Sequence, residues 1–441
     1  MPRICVVLIA GLDDALLKKS GGLTTLNSLK HRATYQPAFP AVTCSVQATL
    51  TTGVLPDRHG IICNGLYTHH NTELQKHLDL SNHAESRRQV SFWEQGNSLL
   101  QTPRFWQAPG FPKKKVSMLF WQNSMGGTAD IVITPKPTHT ADGKTLTACW
   151  SDPPDLYAIL LAKLGPFPLH NYWSPMAGLP SSQWIARAAE FVWREHQPDL
   201  QLVYIPHLDF NLMRGGPNSP AIPKDLLDVD ALLAPLAAQV RADGGTLVVL
   251  GDYGMYEVQT PIMPNLALRQ AGLLKTRADA DGKLLVDYDA SQAFVMADHQ
   301  AAFLYGEPAA TAKAVELLGV LPGVDRIVTD VGLLQLASRA GQAVLIAAPT
   351  AWFAHDWWES DEEKPRWQFS VDIHNKPGFD PRELFFDPMK KCIAQNAALV
   401  KGSHGRIDDS SRWPVLLSDT PIPTTLSAVG IAGLFSSLLA V

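Results

Sequence analysis

The sequence predicts an α/β fold in which helices cover both faces of a mainly parallel sheet. Short apolar runs rich in β-branched residues recur along the chain: ICVVLIAGL, KKVSMLFWQ, DLQLVYIPHL and GTLVVLGDYG. Their hydrophobicity is continuous rather than alternating, which is typical of strands buried on both faces. Helical stretches lie between them, and SQWIARAAEFVWRE at 182–195 precedes DLQLVYIP in the α-then-β order of such folds.

The first strand is predicted in the N-terminal stretch MPRICVVLIAGLDD. Its apolar run meets Asp13 and Asp14 without a small-residue cleavage site, so it indicates a buried strand rather than a secretory signal. The five cysteines are odd in number, scattered and without CxxC spacing. That usage favours a reducing compartment, and we expect a cytoplasmic location.

The next element is a helix predicted to begin near Thr43, in the stretch PAVTCSVQATLTTG, and to end at Gly53. Thr43, Cys44 and Ser45 place three nucleophilic side chains at its start. One interpretation is helix capping, because Ser and Thr oxygens accept hydrogen bonds from the first turn. The other is chemistry, because a helix start attracts a phosphate or another anion.

Polar side chains follow the later strands at the points where they end. In sheets of this kind, ligands gather beyond the carboxyl ends of the strands. That rule selects Asp13, the pair His207 and Asp209, and Asp252 with Tyr253.

The pattern changes between 259 and 394 to pieces broken by Pro and Gly. We interpret 259–394 as an inserted cap, with 1–258 and 395–441 forming the core. Residues 128–154 are expected to form a second excursion from the sheet. The uncharged C-terminal stretch 421–441 is diluted by Pro, Ser, Thr and Gly, so it predicts a packed helix rather than a membrane span.

The overall charge limits the classes of partner. The 441 residues are 46% hydrophobic and 18% charged, with a formal net charge of −5. This balance is ordinary for a globular protein and gives no basic footprint for nucleic acid. We expect a small-molecule ligand and no membrane partner, and the sequence predicts no particular oligomeric state.

The motifs together resemble the alkaline phosphatase superfamily, in its type I phosphodiesterase/nucleotide pyrophosphatase and phosphonoacetate hydrolase branch. The motifs that carry the resemblance span 1–255 and 400–420: LDD, PAVTCSVQATLTTGVLPDRHGIICN, PDLQLVYIPHLDFNLMRGGP, VVLGDYGM and GSHGRIDDSSRWPVLL. The resemblance implies a three-layer αβα core around a mainly parallel sheet. It also implies a small phosphorylated substrate and two metal ions, usually zinc.

The resemblance implies a role for each matching residue. Thr43 is the nucleophile and Asn64 hydrogen-bonds a phosphoryl oxygen. One metal site takes Asp13, Thr43 and an Asp-His pair that begins at Asp252. The other site takes the Asp and His of a DxxxH motif that begins at Asp209, together with a late histidine. That late histidine is His404.

Two family histidines are absent, because Tyr253 and Met213 stand at their positions. A phenol and a thioether are poor zinc ligands at neutral pH. Two other histidines could replace them. His207 lies two residues before Asp209, so on an extended segment both would point to one face. His374 could reach the site from the inserted cap.

These observations predict a metal-dependent hydrolase of phosphate diesters, pyrophosphates or related substrates, working through a phospho-threonine intermediate. Zinc is the expected metal, and Mg²⁺ or Mn²⁺ would suit an oxygen-rich site. The lost histidines leave open a degenerate hydrolase fold that only binds a phosphorylated small molecule. A third alternative is a Cys44 nucleophile, because a thiol in a helix's first turn can have a lowered pKa.

Overall fold

The computed structural model of the protein describes residues 2–78, 89–139, 145–146 and 148–440. Two main sheets account for most of its strands. In chain order these strands are β1 (Ile4–Ile9), β2 (His31–Gln36), β3 (Val116–Leu119), β4 (Ile131–Pro135), β5 (Cys149–Asp152), β6 (Leu200–Ile205), β7 (Thr246–Leu250), β8 (Ala293–Asp298), β9 (Ala301–Gly306), β10 (Val324–Val328), β11 (Ala343–Ala347), β12 (Val415–Ser418) and β13 (Leu426–Ser427).

The larger sheet has nine strands in the order β13-β2-β12-β7-β1-β6-β3-β4-β5. The central strand β1 pairs in parallel with β6 on one side and β7 on the other. Only β5 and β12 run antiparallel to their neighbours. All residues of β1 and β6 are buried, as continuous apolar runs require. The predicted α/β class with a mainly parallel sheet is confirmed.

The stretch 128–154 leaves the main sheet only in part. It supplies β4 and β5, which extend the sheet at one edge. The apolar run of β4 pairs in parallel with β3, and β5 returns antiparallel to it. Between these two strands, Thr138–His139 and Thr145–Leu146 pair as a separate two-stranded sheet.

The helices of six or more residues pack on both sheets, seven around the larger sheet and the two within 264–319 on the strands β8, β9 and β10. They are α1 (Asp14–Lys19), α2 (Thr43–Thr52), α3 (Leu156–Leu164), α4 (Leu179–His196), α5 (His207–Gly215), α6 (Ile222–Ala242), α7 (Pro264–Gln270), α8 (Pro308–Gly319) and α9 (Ala428–Ala440). Helix α4 shows why they form: its buried residues Ile185, Ala188 and Val192 recur every three or four positions and make one apolar face. That face packs on β6 and α6.

Helix α2 is buried along its whole length and packs against the terminal helix α9. It ends at Gly53, whose φ of 72° is the left-handed conformation that favours glycine at a helix C-terminus. The C-terminal stretch is therefore a packed helix, as predicted. Within the described residues, the structure contains no helix long and apolar enough to cross a membrane.

The smaller sheet lies within 259–394. Its four strands pair antiparallel in the order β8-β9-β11-β10. A two-residue turn, His299 and Gln300, joins β8 to β9. The division of the chain into a core and an inserted cap stays a prediction.

Candidate active site

A cavity of about 180 Å³ opens beside the carboxyl ends of the parallel strands. Thr43, Asp209, Tyr253 and His404 line it together with residues of 371–379. Its walls are unusually aromatic: Trp93, Tyr172, Trp173, Tyr204, Phe210 and Phe379. Ligand pockets are mostly apolar with a few convergent polar groups, and this cavity has that composition.

Thr43 is the first residue of α2 and is 3% exposed. Val42 is the N-cap residue and makes no side-chain capping hydrogen bond. The Cys44 backbone N–H donates instead to the Asn64 side chain. The capping interpretation of the Thr-Cys-Ser triplet is therefore wrong for this helix. The Thr43 hydroxyl lies instead beside the phenols of Tyr204 and Tyr253, at the cavity wall.

Asn64 hydrogen-bonds the first turn of α2 from outside the cavity. Its Oδ1 accepts a hydrogen bond from the Cys44 backbone N–H at 3.0 Å. Its Nδ2 donates to Oδ1 of Asp298 at 3.2 Å, and its backbone N–H donates to Oδ2 of Asp298 at 2.8 Å. Asn64 is not among the residues that line the cavity. The structure thus places it where it orients the first turn of α2.

The Cys44 thiol points into a separate apolar cluster that includes Ile61 and Leu99. Burial raises the pKa of this thiol well above its ordinary value, and the nearby Asp298 carboxylate raises it further. Nucleophilic cysteines have lowered pKa values and partial exposure. The surroundings of Cys44 have neither property.

Two carboxylates lie at the ends of β6 and β7. Oδ1 of Asp252 accepts hydrogen bonds from the backbone N–H groups of Gly11 at 3.0 Å and Tyr253 at 3.1 Å. Its Oδ2 and the Oδ1 of Asp209 are buried and have no hydrogen-bond partner. Burial raises the pKa of Asp209 to about 7, which the Tyr253 hydroxyl partly offsets. Burial, with a smaller contribution from Asp209, raises the pKa of Asp252 well above its ordinary value.

His404 is fully buried, and its ring is oriented by one hydrogen bond. Nδ1 lies 2.7 Å from the carbonyl oxygen of Ala41, so this nitrogen carries the proton and donates it. Nε2 has no partner. Burial lowers the pKa of His404 well below its ordinary value, and the adjacent His299 lowers it further. The ring therefore presents a bare Nε2, which is the form that binds a metal.

Tyr253 and Met213, at the two altered positions, both line the cavity. The Tyr253 ring stacks on His404 with a centroid distance of 3.4 Å and an interplanar angle of 4°. Its hydroxyl lies beside Asp209 and Thr43. Tyr253 therefore contacts three residues of the candidate site, His404, Asp209 and Thr43.

Asp13 is not brought to the cavity. Strand β1 ends at Ile9, and Asp13 lies four residues further on, where its Oδ1 accepts from the Leu16 backbone N–H at 2.7 Å and caps α1. Its Oδ2 is buried without a partner, and burial raises the pKa of this carboxyl to about 6. Asp14 pairs with Lys18 and Arg32 at the surface.

The prediction that His207 and Asp209 share a face of an extended segment is wrong. Both residues belong to α5, which begins at His207. Positions two apart on a helix point in different directions, because each residue turns the helix by about 100°. Asp209 lines the cavity, and His207 faces α6 instead.

His374 does line the cavity, as the inserted-cap hypothesis requires. Its Nδ1 lies 3.2 Å from the carbonyl oxygen of Phe92. That contact ties the segment around His374 to β-structure on the opposite wall. Its place in a metal shell stays a prediction.

Sequence reasoning missed Asp298 and His299. His299 lines the cavity, with Nδ1 2.6 Å from Oδ1 of Asp298 and with Nε2 buried and unpartnered. Its φ of 60° is rare for a residue other than glycine and marks functional sites more often than chance. Its ring centroid is 3.9 Å from that of His404. The available signal was a strand that ends in Asp-His, the same pattern as Asp252-Tyr253.

The donor set suits one divalent cation in the chemical type of its atoms but not in their arrangement. Asp209, Asp252 and His404 each present a buried atom without a partner, and two carboxylates with one imidazole suit zinc or manganese. Met213 and Tyr253 leave no complete second set. Among the described residues, the ligand atoms of the cavity do not form a group of three within 4.8 Å of one another.

The charge of the cavity bears on its ligand. No lysine or arginine stands among the described residues that line it, whereas Asp209 and Asp372 do. An anionic phosphoryl group would meet carboxylates with no protein cation to offset them. Buried charges require a partner, so a phosphoryl ligand in this cavity requires a bound cation or protonated carboxyls.

The chain matches the sequence pattern of the type I phosphodiesterase / nucleotide pyrophosphatase family over residues 4–380. Members of this family generally depend on divalent metal ions, and the structure contains oxygen-rich candidate sites. No curated protein sequence matches the chain.

Solved structures share the fold over the whole chain. Murine ectonucleotide pyrophosphatase/phosphodiesterase 5, an inactive variant in complex with AMP, is 14% identical with a TM-score of 0.60, covering 100% of this chain and 96% of that one. Phosphonoacetate hydrolase from Sinorhizobium meliloti 1021, in complex with phosphonoformate, is 15% identical with a TM-score of 0.61 and the same coverage. The human ectonucleotide pyrophosphatase/phosphodiesterase 5 is 13% identical with a TM-score of 0.60, covering 100% of this chain and 95% of that one. At these identities the likeness concerns the fold.

Proposed function

The chain belongs to the type I phosphodiesterase / nucleotide pyrophosphatase family and is a phosphoric ester hydrolase, and from this premise we propose that it cleaves phosphate diesters, pyrophosphates or related phosphoryl substrates with Thr43 as the nucleophile. The observation that carries the proposal is the placement of Thr43. It begins α2, is not used in capping, and faces a cavity that also holds unpartnered donors from Asp209 and His404.

Thr43 and Asn64 have distinct roles in the proposed displacement. The Thr43 oxygen attacks phosphorus, and the alcohol of the ester leaves on the opposite side. Asn64 holds the first turn of α2 through the Cys44 N–H, so the Thr43 oxygen is fixed relative to the cavity. Fixing a nucleophile in this way supplies much of the rate of a displacement. The proton of Thr43 passes to the Tyr253 hydroxyl beside it, which in turn gives its own proton to Asp209.

A divalent cation, zinc or alternatively manganese or magnesium, would be held by Asp209, Asp252 and His404 and would supply positive charge to the Thr43 oxygen and the phosphoryl oxygens. Asp13 is left out of this set because it caps α1. His404 is prepared for this role by its hydrogen bond to Ala41, which fixes the proton on Nδ1.

The walls of the cavity favour a leaving group with an apolar or aromatic part. Trp93, Trp173 and Phe379 offer ring surfaces on which a planar group can stack. One structural relative binds AMP and another binds phosphonoformate. The aromatic walls of this cavity favour a nucleotide-like ester over a small phosphonate acid.

Thr43→Ala, compared with Thr43→Ser and the wild type on a chromogenic nucleotide diester, tests the proposal. We expect Thr43→Ala to lose at least about a thousandfold in kcat, since loss of a nucleophile typically does so. Thr43→Ser keeps a hydroxyl at the same place and retains activity. Equal activity of the Ala and wild-type proteins would exclude Thr43 as the nucleophile.

A second candidate function is a binding protein on the same fold, which retains the cavity without turnover. The phenol at position 253 favours it, because Tyr253 stacks on His404 beside Asp209 and is a poor metal ligand at neutral pH. It predicts that the wild type binds AMP with unchanged affinity in excess chelator and hydrolyses none of the diesters. Chelator-sensitive turnover contradicts it.

A further inference from the structure

A second group of metal-type side chains lies outside the cavity, between the start of α5 and the first turns of α6. It consists of His207, Asp225 and Asp228, which we call the α5–α6 cluster. One ligand atom from each lies within 4.8 Å of the other two. Nε2 of His207 is 3.6 Å from Oδ1 of Asp225 and 3.9 Å from Oδ2 of Asp228.

The histidine of this cluster is buried without a partner. His207 is 5% exposed, and neither of its ring nitrogens makes a hydrogen bond. A buried polar group without a partner destabilises the folded state, so such groups are rare in folded proteins. The nearest carboxylate oxygens, 3.6 and 3.9 Å away, are too distant to be that partner.

These separations suit two ligands of one ion. Ligand atoms about 2.0–2.2 Å from a zinc ion lie about 3–4 Å from each other. Asp225 and Asp228 are three residues apart on α6, so their side chains share a face of that helix. That face is the one His207 meets.

Asp225 is held in the orientation that a ligand needs. The Asn211 side-chain amide donates to its Oδ2 at 2.8 Å, which leaves Oδ1 directed toward His207. Ligating carboxylates are commonly oriented by such a neighbouring hydrogen bond.

We propose that His207, Asp225 and Asp228 bind one divalent transition-metal cation, Zn²⁺ or Mn²⁺, which joins α5 to α6. One imidazole and two carboxylates suit these ions, whereas Ca²⁺ and Mg²⁺ prefer all-oxygen sets. Because α5 also carries Asp209, the cation fixes the helix that presents Asp209 to the cavity. The proposal does not depend on the proposed hydrolase activity.

Lys224 forms an ion pair with the α5–α6 cluster when no metal is bound. Its ammonium group pairs with Oδ2 of Asp228, and its side chain is 74% exposed. The ammonium therefore offsets the charge of Asp228 from the solvent side and can move away without repacking. Removing it strengthens metal binding, because the cation no longer competes with an ammonium for the same oxygen.

The test uses full-length protein in which the cavity donors are removed by Asp209→Asn and His404→Ala. After chelator treatment and dialysis, Mn²⁺ is added and bound ion is counted by electron paramagnetic resonance, with zinc counted in parallel by elemental analysis. We expect one equivalent in this background and none after adding Asp228→Asn. Lys224→Met in the same background is the matched control, and we expect it to keep one equivalent with a several-fold lower Kd.

Two results overturn the proposal: no bound ion in the Asp209→Asn/His404→Ala background, or one that survives Asp228→Asn. If that background fails to fold, Asp228→Asn alone is compared with the wild type, and loss of one equivalent is expected. Asp228 is partly exposed, with 23% of its side chain accessible, so its replacement leaves the packing of α6 intact. An unchanged count in this pair contradicts the proposal equally.

Discussion

Replacing Tyr253 by histidine should increase zinc affinity in the cavity. The Tyr253 ring is 1% exposed and lies 3.4 Å from the His404 ring, so an imidazole in its place meets the region where His404 presents Nε2. Groups that only orient a ligand change metal affinity about 10–100-fold. A direct ligand should therefore add at least tenfold.

The same change has a cost in stability. Tyr253 fills buried space between His404 and Gly11, and imidazole is smaller than phenol. Large-to-small changes in a core destabilise through the lost contacts and the cavity that remains, and we expect about 1–3 kcal/mol for metal-free Tyr253→His. Zinc should recover part of this in a thermal melt, because an ion that binds only the folded state stabilises it.

The assay is a competition titration against a zinc indicator, in an Asp228→Asn background so that the α5–α6 cluster does not contribute. Tyr253→Phe is the matched control, since it keeps the stacked ring and offers no ligand. We expect Tyr253→His to bind zinc more tightly than the protein with Tyr253. We expect Tyr253→Phe to bind zinc no more tightly than that protein. If the His and Phe variants bind zinc equally, the cavity does not place position 253 beside a cation.

Three further predictions concern residues outside this pair. Burial raises the pKa of Asp13 from 3.8 to about 6, so the stability it contributes below pH 4 is lost as the pH rises to 6. Asp13→Asn should abolish this fall in stability between pH 4 and pH 6 and raise the free energy of unfolding at pH 8 by on the order of 2–3 kcal/mol. The variant should keep its metal content, and a fall in bound metal would make Asp13 a ligand. Arg382→Met should destabilise by about 3–5 kcal/mol in urea denaturation, because Arg382 is buried between Asp356 and Asp380 at 2.7 and 2.6 Å. Its loss leaves the buried Asp356 carboxylate without a cation, whereas Asp380 keeps Lys376 at 3.0 Å; a change under 1 kcal/mol would contradict this. Cys44→Ala should keep full diesterase activity, since the thiol lies in an apolar cluster away from the cavity, and inactivity in a folded variant would reinstate the thiol.

Much of the fold could be predicted from the sequence because strands buried on both faces are continuous apolar runs. Strands β1, β6 and β7 are apolar at nearly every position, and the sheet places their carboxyl ends together. That rule selects Asp209 and Tyr253, and both line one cavity. The rule works where the chemistry follows a strand within a few residues.

The rule fails where the exact residue at which a strand ends decides the direction of a side chain. The sequence predicts that His207 continues a strand. In the structure β6 ends at Ile205 and α5 begins at His207, so the His207 side chain turns away from Asp209. Asp13 follows β1 by four residues and is used as a helix cap. Periodicity does not locate such boundaries to one residue.

His299 could not be placed from the sequence for a different reason. It lies in the turn between β8 and β9, more than 250 residues after Thr43 by number. Only the docking of the smaller sheet against Asn64 and His404 brings it to the cavity. No local pattern encodes a contact between two distant units.

The most direct test of the account is whether a phosphoryl group forms on Thr43. The wild-type protein is mixed with a chromogenic nucleotide diester, quenched in acid during turnover, digested and analysed by mass spectrometry. A Thr43 peptide that carries the nucleotidyl group of the substrate as a phosphodiester, absent in Thr43→Ala, is the predicted result, because only the bond to the chromogenic alcohol is broken in the first step. Turnover of the diester without any modified peptide, or with the modification on another residue, would contradict the assignment of Thr43 as the nucleophile.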